Sequence, residues 1–346
     1  MKEYNAIGIM SGTSCDGLDL AFCRFAFESG NWSFQLKDSK MVEYSNEWKN
    51  KLRNAHTLNE QVIEALSIEF GQFIGQETCQ FIQERKLNNV DFVASHGHTV
   101  FHQPENGFTL QIGNGKAIKN RLNLPVINDF RTADVRAGGQ GAPLVPIGDE
   151  LLFSDYDFCV NIGGIANVSY QQNGVRKAQD ICIANMALNP LALEMGHEFD
   201  DKGNLAKQGV VNPQLLWKLQ ELDFEGKSLG NEQYQGFLLP IVEKSNSIAE
   251  TKLATLTEYI AQCIASFLTP KSKVLITGGG AYNEFLISKI KTYSQATIVS
   301  ANKELIEFKE ALIFAFLGVL KMESIPNCLS SVTGAKKDVV GGVLVD

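Results

Sequence analysis

The sequence lacks any apolar run approaching the roughly 18 residues that a membrane-spanning helix requires. It has no four adjacent Lys or Arg residues and a formal net charge of −8, so it offers no electrostatic footprint for nucleic acid. Residues 1–4 lead straight into an apolar strand pattern, without the long apolar segment of a secretory signal. These absences favour small molecules as partners, with no membrane and no nucleic acid.

Cysteines spaced for a metal or a disulfide framework are also missing. The chain has seven cysteines, an odd number at irregular intervals, and no C-x-x-C pair. Cys23 and Cys159 lie in apolar strand patterns, and Cys79 and Cys263 lie in helical patterns, where a thiol behaves as a small hydrophobe. We therefore expect a reduced, cytoplasmic protein without disulfides or structural zinc.

Two common nucleotide-binding motifs are absent as well. No G-x-x-x-x-G-K-[ST] occurs, and no G-x-G-x-x-G opens a helix after a strand, so neither a P-loop nor a Rossmann site is supported. An anionic ligand would have to be held by other turns and by local cations.

Glycine turns of another kind are present. Two strand–turn–strand patterns, at residues 7–22 and 158–170, stand about half a chain apart, and a strand–helix junction follows near residue 278. Small residues let backbone N–H groups approach a phosphate closely. A single such turn is also typical of an ordinary hairpin, but its recurrence favours two related halves around a phosphate-bearing ligand. The turn residues are Gly12, Thr13, Ser14, Asp16, Gly17 and Asp19 in the first pattern, Asn161, Gly163 and Gly164 in the second, and Gly278, Gly279, Gly280 and Asn283 at the junction.

Length and hydrophobic patterning indicate an α/β fold with about two domains. Short apolar runs at 90–94 and 124–128 end in polar residues, and amphipathic helical patterns precede or follow them. A helix is predicted at about 303–322. The Gly-rich, charged loop at 129–146 is a natural crossing point between two lobes.

Four acidic residues and one arginine are candidates for phosphate chemistry. Asp180 follows the second hairpin in a strand-like run, and it is either a turn residue or a general base beside a transferring phosphoryl group. Asp16 and Asp19 both suit Mg²⁺, held directly or through water, because this cation prefers carboxylate and phosphate oxygens. Arg131 suits phosphate or carboxylate recognition, although with Asp134 it also fits a plain loop ion pair.

Ser95, His96, Gly97 and His98 form a second polar cluster at the end of an apolar run. Alternation predicts that His96 and His98 lie on one face of a strand. Two histidines on one face are candidate metal ligands, so a metal site is one interpretation. No Cys or Glu cluster completes a ligand shell, so hydrogen bonding to a polar ligand is the better interpretation. Glu310, in an otherwise apolar helical pattern, is either a first-turn carboxylate or a buried polar contact.

Taken together, these motifs resemble the anhydro-N-acetylmuramic acid kinase family, of the actin, hexokinase and sugar-kinase superfold. The resemblance covers nearly the whole chain and rests on residues 10–19, 95–99, 111–114, 129–135, 137–146, 161–167, 278–283, 310 and 332–335. It implies a two-lobed, actin-like ATPase of ribonuclease H-like duplication, with a central cleft for ATP and substrate. Lobe I would comprise residues 1–131 plus about 330–346, with the first phosphate loop and the sugar-binding side. Lobe II would comprise 132–329, with the second phosphate loop, the catalytic Asp and the adenosine side.

The resemblance also implies a reaction in peptidoglycan recycling that uses ATP and Mg²⁺. Water opens the internal ether of 1,6-anhydro-N-acetylmuramic acid, and the freed 6-oxygen takes the γ-phosphoryl group, giving N-acetylmuramic acid 6-phosphate and ADP. Asp180 is implied as the base that activates water, the turn residues and Asn283 as the ATP site, and a homodimer as the assembly. The implied sugar-binding residues are Ser95, His96, Gly97, Arg131, Asp134, Gln140, Asn185 and Glu310.

One segment departs from the family's pattern. Asp180 is followed by Ile, Cys, Ile and Ala before Asn185, where the family reads Thr or Cys and then Gly-Pro-Gly-Asn. Two alternatives therefore stay open: a kinase for another amino sugar, and a non-catalytic nucleotide- or sugar-binding sensor of the same fold. Retention of Asp180, Asp16 and Arg131 favours an enzyme.

Overall fold

The computed structural model describes residues 2–12, 15–224 and 228–346 of the chain. Its strands are β1 (Lys2–Ser11), β2 (Gly17–Glu28), β3 (Asn31–Glu43), β4 (Phe92–Ser95), β5 (His98–Gln103), β6 (Phe108–Ile112), β7 (Val126–Asn128), β8 (Phe158–Ile162), β9 (Ile165–Gln172), β10 (Val175–Ile183), β11 (Lys273–Thr277), β12 (Thr297–Ser300) and β13 (Val343–Val345).

The helices alternate with these strands. They are α1 (Asn46–Arg53), α2 (Glu60–Glu84), α3 (Gly115–Leu122), α4 (Thr132–Arg136), α5 (Pro146–Leu152), α6 (Asn185–Glu194), α7 (Pro213–Gln220), α8 (Asn231–Gln233), α9 (Leu239–Glu243), α10 (Ala249–Phe267), α11 (Glu284–Ser294), α12 (Lys303–Met322) and α13 (Ser330–Thr333). Short 3-10 turns and a π-helical turn at Tyr234–Leu238 complete the list. Among the described residues, no helix is both long enough and apolar enough to cross a bilayer.

The first of two compact units contains Met1–Phe153 and Phe308–Asp346. Its six-stranded sheet has the order β13-β7-β4-β1-β2-β3, in which β1, β2 and β3 form an antiparallel meander and β4 pairs parallel to both β1 and β7. α2 packs on this sheet through Phe70, Ile74 and Phe81, which are fully buried. Burial of such large apolar side chains is the main force that stabilises the unit.

The second unit contains Ser154–Glu307. Its five-stranded sheet has the order β10-β9-β8-β11-β12, with β8, β9 and β10 antiparallel and β11 parallel to both β8 and β12. α10 packs on it through Leu253, Leu256, Ile260 and Ile264, all of them fully buried. The series β10-β9-β8-β11-β12 repeats the series β3-β2-β1-β4-β7 of the first unit. The predicted α/β fold of two related halves is therefore confirmed.

The boundaries between the two units lie after Phe153 and before Phe308. The sequence analysis placed the lobe boundaries at residues 131 and 329. In the structure, α4, α5 and most of α12 belong to the first unit. Two contacts explain this. Lys309 Nζ of α12 forms a buried ion pair with Asp149 Oδ1 of α5 at 2.6 Å, and Gly8 of β1 lies so close to α12 that a Cβ there would be 1.8 Å from the carbonyl oxygen of Ala311.

Candidate functional site

The first predicted phosphate turn joins β1 to β2. Thr13 and Ser14, two of its predicted ligands, lie outside the described residues. The carbonyl oxygen of Gly12 accepts a hydrogen bond from the backbone N–H of Cys15 at 3.2 Å. Cys15 has a φ of 57°, in the left-handed region that tight turns use. The strand–turn–strand pattern predicted from the sequence is thus present in the described residues.

The two carboxylates of this turn differ in setting. Asp16 is exposed just before β2, and Asp19 is partly buried within β2, where it pairs with Met10 of β1. Gly17 approaches β3 closely, because a Cβ there would lie 2.6 Å from the carbonyl oxygen of Val42. Two neighbouring carboxylates supply the hard oxygen ligands that Mg²⁺ prefers. The described residues hold no group of three or more His, Cys, Asp or Glu placed for a metal ion, so further ligands would come from phosphate and water.

A buried hydrogen-bonded chain holds the end of β1, from which the turn begins. Tyr44 Oη donates to Ser11 Oγ at 2.8 Å, and Ser11 Oγ lies 3.2 Å from His98 Nδ1. A serine hydroxyl carries one donor and two acceptor lone pairs, so Ser11 Oγ bonds to Tyr44 and to His98 at the same time. Burial lowers the pKa of His98, so the ring is neutral at neutral pH. Sequence reasoning missed Tyr44, which carries no motif.

His96 and Arg131 are joined directly. His96 is 5% exposed, its Nδ1 lies 2.9 Å from the carbonyl oxygen of Gly97, and its Nε2 accepts a hydrogen bond from Arg131 Nε at 3.0 Å. Nδ1 must then carry the proton and donate it to Gly97. Burial, together with the positive charge of Arg131, holds the pKa of His96 well below its usual value. Arg131 Nη1 also donates to the carbonyl oxygen of Gly141 at 2.6 Å, so two partners orient the guanidinium.

The prediction that His96 and His98 share one face of a strand is wrong. β4 ends at Ser95 and β5 begins at His98. Gly97 between them has a φ of 73°, and a Cβ there would lie 2.4 Å from the carbonyl oxygen of Ile112. The chain therefore turns at Gly97 and the alternation is lost. Since both ring nitrogens of His96 already have hydrogen-bond partners, neither is available to a metal, and the ring would act on a polar ligand through Arg131.

Asp134 holds the Gly-rich loop in place. It is fully buried, its Oδ1 accepts from Thr333 Oγ1 at 2.8 Å, and its Oδ2 accepts from the N–H of Gly141 at 2.8 Å. The carboxylate thus positions the same Gly141 whose carbonyl oxygen binds Arg131. Gln140 donates its backbone N–H to the carbonyl oxygen of Thr333 at 2.7 Å and leaves its side chain exposed.

Ser95 and Glu310 present two more polar groups in the first unit. Ser95 is 1% exposed, and its Oγ has no hydrogen-bond partner among the described residues. Glu310 lies seven residues after the start of α12, so it is not a first-turn carboxylate, and its side chain is accessible to solvent. Loss of hydration among surrounding groups raises the pKa of its carboxyl, and the positive charges of Arg131 and Lys309 oppose that rise.

The second glycine turn is held by the amino end of a helix. β8 ends just before Gly163 and Gly164, and β9 follows them. The carbonyl oxygen of Gly163 accepts from the N–H of Asn185 at 3.1 Å, and that of Gly164 accepts from the N–H groups of Ala184 and Met186 at 2.8 and 3.1 Å. Three backbone hydrogen bonds therefore join the turn to the start of α6.

The strand–helix junction at Gly278 packs against this turn. Gly278 has a φ of 81°, and a Cβ there would lie 2.7 Å from both Asn161 Oδ1 and the carbonyl oxygen of Ile162. A Cβ on Gly280 would lie 2.2 Å from the side chain of Ile162. Gly279 is exposed, with Asn185 Nδ2 3.9 Å from the Cβ position as its nearest neighbour. The structure therefore brings the junction, the second turn and Asn185 together.

Asn283 has a structural task in the same region. It is 7% exposed, and its Oδ1 accepts a hydrogen bond from the N–H of Leu286 at 3.0 Å, which caps the start of α11. A buried capping residue fixes the direction in which the helix leaves the glycine junction.

A row of polar side chains crosses the second sheet. Thr277 of β11 pairs with Asn161 of β8, Asn161 pairs with Asn167 of β9, and Asn167 pairs with Asp180 of β10. Directly paired residues on adjacent strands share one face of a sheet. Asp180 therefore faces the same side as Asn161 of the glycine turn. Thr277 Oγ1 is buried and without a hydrogen-bond partner in the described part of the chain.

Asp180 itself is half-buried and fixed. Its Oδ2 accepts a hydrogen bond from the backbone N–H of Leu229 at 2.8 Å. A β-bulge follows it, because the pairing with β9 shifts between Asp180 and Cys182. Burial raises the pKa of the Asp180 carboxyl, and the bond from Leu229 opposes that rise. An oriented carboxylate of raised pKa suits a general base.

Comparison with known proteins gives a consistent result. The chain matches the family model described as Anhydro-N-acetylmuramic acid kinase over residues 4–346. It is 32% identical to a protein named anhydro-N-acetylmuramic acid kinase from Francisella tularensis subsp. novicida (strain U112), covering 99% of both chains. It is also 32% identical to one of the same name from Bacillus cereus (strain G9842), covering 97% of both. A solved structure, component A of the (R)-2-hydroxyglutaryl-CoA dehydratase of Acidaminococcus fermentans, aligns at 11% identity and a TM-score of 0.45 over 90% of this chain and 96% of that one.

Proposed function

This chain belongs to the anhydro-N-acetylmuramic acid kinase family and is a kinase, and we propose that its substrate is 1,6-anhydro-N-acetylmuramic acid. The products are N-acetylmuramic acid 6-phosphate and ADP, in peptidoglycan recycling. The observation that carries this proposal is Asp180, a half-buried carboxylate of raised pKa fixed by Leu229 on the same sheet face as Asn161.

Asp180 is the base in the proposed reaction. It takes a proton from water, whose oxygen forms a bond to the anomeric carbon while the bond from that carbon to the 6-oxygen breaks. The freed 6-oxygen forms a bond to the γ-phosphorus, and the bond from that phosphorus to the bridging oxygen of ADP breaks. Because the leaving oxygen of the first step is the nucleophile of the second, one bound geometry serves both. The bond from Leu229 to Oδ2 keeps the carboxylate oriented, and we assign Oδ1 to the water.

The glycine turns are proposed to hold ATP. In small residues the backbone N–H groups can approach phosphate oxygens and donate hydrogen bonds to them. The tight packing of Gly278 against Asn161 fixes the conformation of the second turn. Asp16 and Asp19 would hold Mg²⁺, directly or through water. The bound cation would neutralise negative charge on the phosphates. The proposed ATP-binding residues are Gly12, Thr13, Ser14, Asp16, Gly17, Asp19, Asn161, Gly163, Gly164, Gly278, Gly279, Gly280 and Asn283.

The sugar is proposed to bind at Arg131 and its neighbours. The guanidinium is oriented by His96 and Gly141, and such a preorganised fork suits the carboxylate that a muramic acid carries. Ser95 Oγ, buried and without a partner among described residues, offers a hydroxyl to the same ligand. Gly97, Gln140, Asn185 and Glu310 complete the proposed sugar-binding set, and Asp134 contributes by holding Gly141, whose carbonyl oxygen binds Arg131.

We propose that the protein is a cytoplasmic homodimer. A kinase that uses ATP works where ATP is abundant, which favours the cytoplasm, and the resemblance to the family implies a homodimer. Light scattering on the purified protein tests the dimer directly.

A substrate panel tests the proposed function. We expect ADP release from ATP to depend on the anhydro sugar and to yield a sugar 6-phosphate. Phosphorylation of another amino sugar in its place would support the first alternative. Binding of nucleotide or sugar with no ADP release would support the sensor, provided that the wild type and Asp180→Asn were equally inactive.

A further inference from the structure

Residues 332–335 belong to the pattern that carries the family resemblance, yet the proposed reaction gives them no task. Thr333, at the end of α13, is 1% exposed. Its Oγ1 donates a hydrogen bond to Asp134 Oδ1 at 2.8 Å and accepts one from the N–H of Ala335 at 3.4 Å. Its carbonyl oxygen accepts from the N–H of Gln140 at 2.7 Å. The side chain and the backbone of Thr333 are therefore both bonded to the Gly-rich loop.

The C-terminal segment that carries Thr333 is held by its own hydrogen bonds. Asn327 is fully buried, its Nδ2 donates to the carbonyl oxygen of Gly341 at 3.1 Å, and its Oδ1 accepts from the N–H of the same glycine at 2.6 Å. The thiol of Cys328 donates to the carbonyl oxygen of Phe130 at 3.6 Å. The residues on either side of Thr333 are therefore bonded to each other and to the residue that precedes the arginine of the proposed sugar site.

Two further hydrogen bonds lead from Asp134 to that arginine. Asp134 Oδ2 accepts from the N–H of Gly141 at 2.8 Å, and the carbonyl oxygen of Gly141 accepts from Arg131 Nη1 at 2.6 Å. Gly141 has a φ of 67°, and a Cβ there would lie 2.8 Å from Val135 Cγ2, so packing also confines this glycine. A continuous series of hydroxyl, carboxylate, glycine and guanidinium therefore runs through the first unit.

We propose that Thr333 is a positioning residue for Arg131. Its hydroxyl fixes the carboxylate of Asp134, the carboxylate fixes Gly141, and Gly141 sets the direction of the guanidinium. The role rests on the proposed function, in which the guanidinium binds the carboxylate of the sugar, because such a fork binds a planar carboxylate best in one orientation. Without the hydroxyl, a buried carboxylate oxygen loses its donor, which is costly enough to shift Asp134 and the glycine bonded to it.

Two substitutions of Thr333 separate its hydroxyl from its shape. Thr333→Val removes the hydroxyl and keeps the branched side chain, whereas Thr333→Ser keeps the hydroxyl. We expect Thr333→Val to raise the KM for the anhydro sugar at least about fivefold, with a much smaller change in the KM for ATP. Thr333→Ser should stay near the wild type. Thermal unfolding checks that each variant is folded under the conditions of the assay.

Thr78→Val is the matched control. Thr78 is a fully buried threonine in α2 of the same unit, and its hydroxyl donates to the carbonyl oxygen of Ile74 at 2.7 Å. This variant also loses one buried hydroxyl, so it should leave both KM values unchanged. Equal effects of Thr78→Val and Thr333→Val on the KM for the sugar would overturn the proposal.

A double-mutant cycle with Arg131→Ala distinguishes positioning from a general loss of stability. The measured quantity is kcat/KM for the sugar, which does not require saturation. Because Thr333 acts through the guanidinium, Thr333→Val should lower kcat/KM in the wild-type background and have no further effect in Arg131→Ala. An equal loss in both backgrounds, or no loss in the wild-type background, would contradict the role.

Hydrogen exchange at Arg131 supplies a measurement that needs no substrate. The Nε–H of Arg131 is bonded to His96, so it should exchange slowly in the wild type, and NMR of arginine-labelled protein follows it. We expect exchange to become at least about tenfold faster in Thr333→Val and to stay slow in Thr333→Ser. Unchanged exchange in Thr333→Val would overturn the proposal. A wild type that showed this contrast but released no ADP with the anhydro sugar would count against the proposed function and leave the positioning role standing.

Discussion

Arg131 donates its Nε–H to Nε2 of His96 at 3.0 Å, and this bond ties the predicted sugar-binding arginine to a buried, neutral ring. Replacing His96 by Ala leaves that donor without its acceptor, which costs about 1–3 kcal/mol. We expect the KM for the anhydro sugar to rise roughly 5- to 150-fold, with a much smaller change in the KM for ATP. Steady-state kinetics with each substrate varied in turn measures the two KM values.

His56→Ala is the control for that variant. His56 is exposed, and its Nδ1–H donates to the carbonyl oxygen of Arg53 at 2.9 Å. It should leave both KM values unchanged. Equal effects of the two substitutions would contradict a role for His96 in orienting Arg131.

Two adjacent glycines should respond very differently to the same methyl group. Gly278→Ala places a Cβ at φ 81° and 2.7 Å from two oxygens, whereas Gly279→Ala meets nothing nearer than 3.9 Å. We expect Gly278→Ala to weaken ATP binding at least tenfold and to lower the melting temperature, and Gly279→Ala to fold as the wild type does. Calorimetric titration with a non-hydrolysable ATP analogue and thermal unfolding check this. Tolerance of Ala at 278 would contradict the packing of the junction on the second turn.

The buried ion pair between Lys309 and Asp149 should dominate the stability of the first unit's α5–α12 contact. Their side chains are 7% and 4% exposed. Asp149→Ala leaves a buried ammonium without its carboxylate, and we expect a loss of about 3–5 kcal/mol in the free energy of unfolding. Glu47→Ala, which removes one of the two exposed partners of Lys51, should cost less than about 1 kcal/mol.

Urea denaturation of both variants measures the contrast. If Asp149→Ala fails to fold, the double variant Asp149→Leu with Lys309→Met should recover the fold, because an apolar pair replaces the buried charges. A small loss for Asp149→Ala would show that the pair is not what holds α5 to α12.

Acid should destabilise the protein through its buried histidines. Burial lowers the pKa of both His96 and His98 in the folded state. Below their unfolded pKa of about 6.5, the unfolded chain binds protons that the folded chain does not, so stability falls as pH falls. Each ring contributes a slope of at most about 1.4 kcal/mol per pH unit.

His98→Asn should reduce that slope. The variant loses one titrating ring, so its free energy of unfolding should change less than that of the wild type between pH 7.5 and pH 5.5. Urea denaturation at the two pH values compares them. An unchanged slope would mean that His98 has the same pKa in the folded and unfolded states, which would contradict its burial as a neutral ring.

Local patterns in the sequence predicted local structure well. The helix expected at 303–322 is α12 (Lys303–Met322), because its apolar spacing keeps a helical period throughout. Both glycine turns lie between strands as expected. The prediction that His96 and His98 share one face of a strand was wrong. Gly97 between them has a left-handed conformation, which interrupts the alternation of side chains along a strand.

Features that depend on pairing between distant segments could not be predicted. The row from Thr277 to Asp180 exists only through the register of four strands. The unit boundary likewise depends on Lys309 reaching Asp149. No periodicity within one segment carries such information.

Water attack at the anomeric carbon, driven by Asp180 and coupled to phosphoryl transfer, is tested most directly by mass spectrometry of the products formed in isotopically labelled water. We expect one labelled oxygen in the anomeric hydroxyl and the phosphate on the unlabelled 6-oxygen. Asp180→Asn should bind ATP normally and lose about 10²- to 10⁴-fold in turnover. Label recovered in inorganic phosphate with no sugar phosphate formed, or full turnover by Asp180→Asn, would contradict the mechanism.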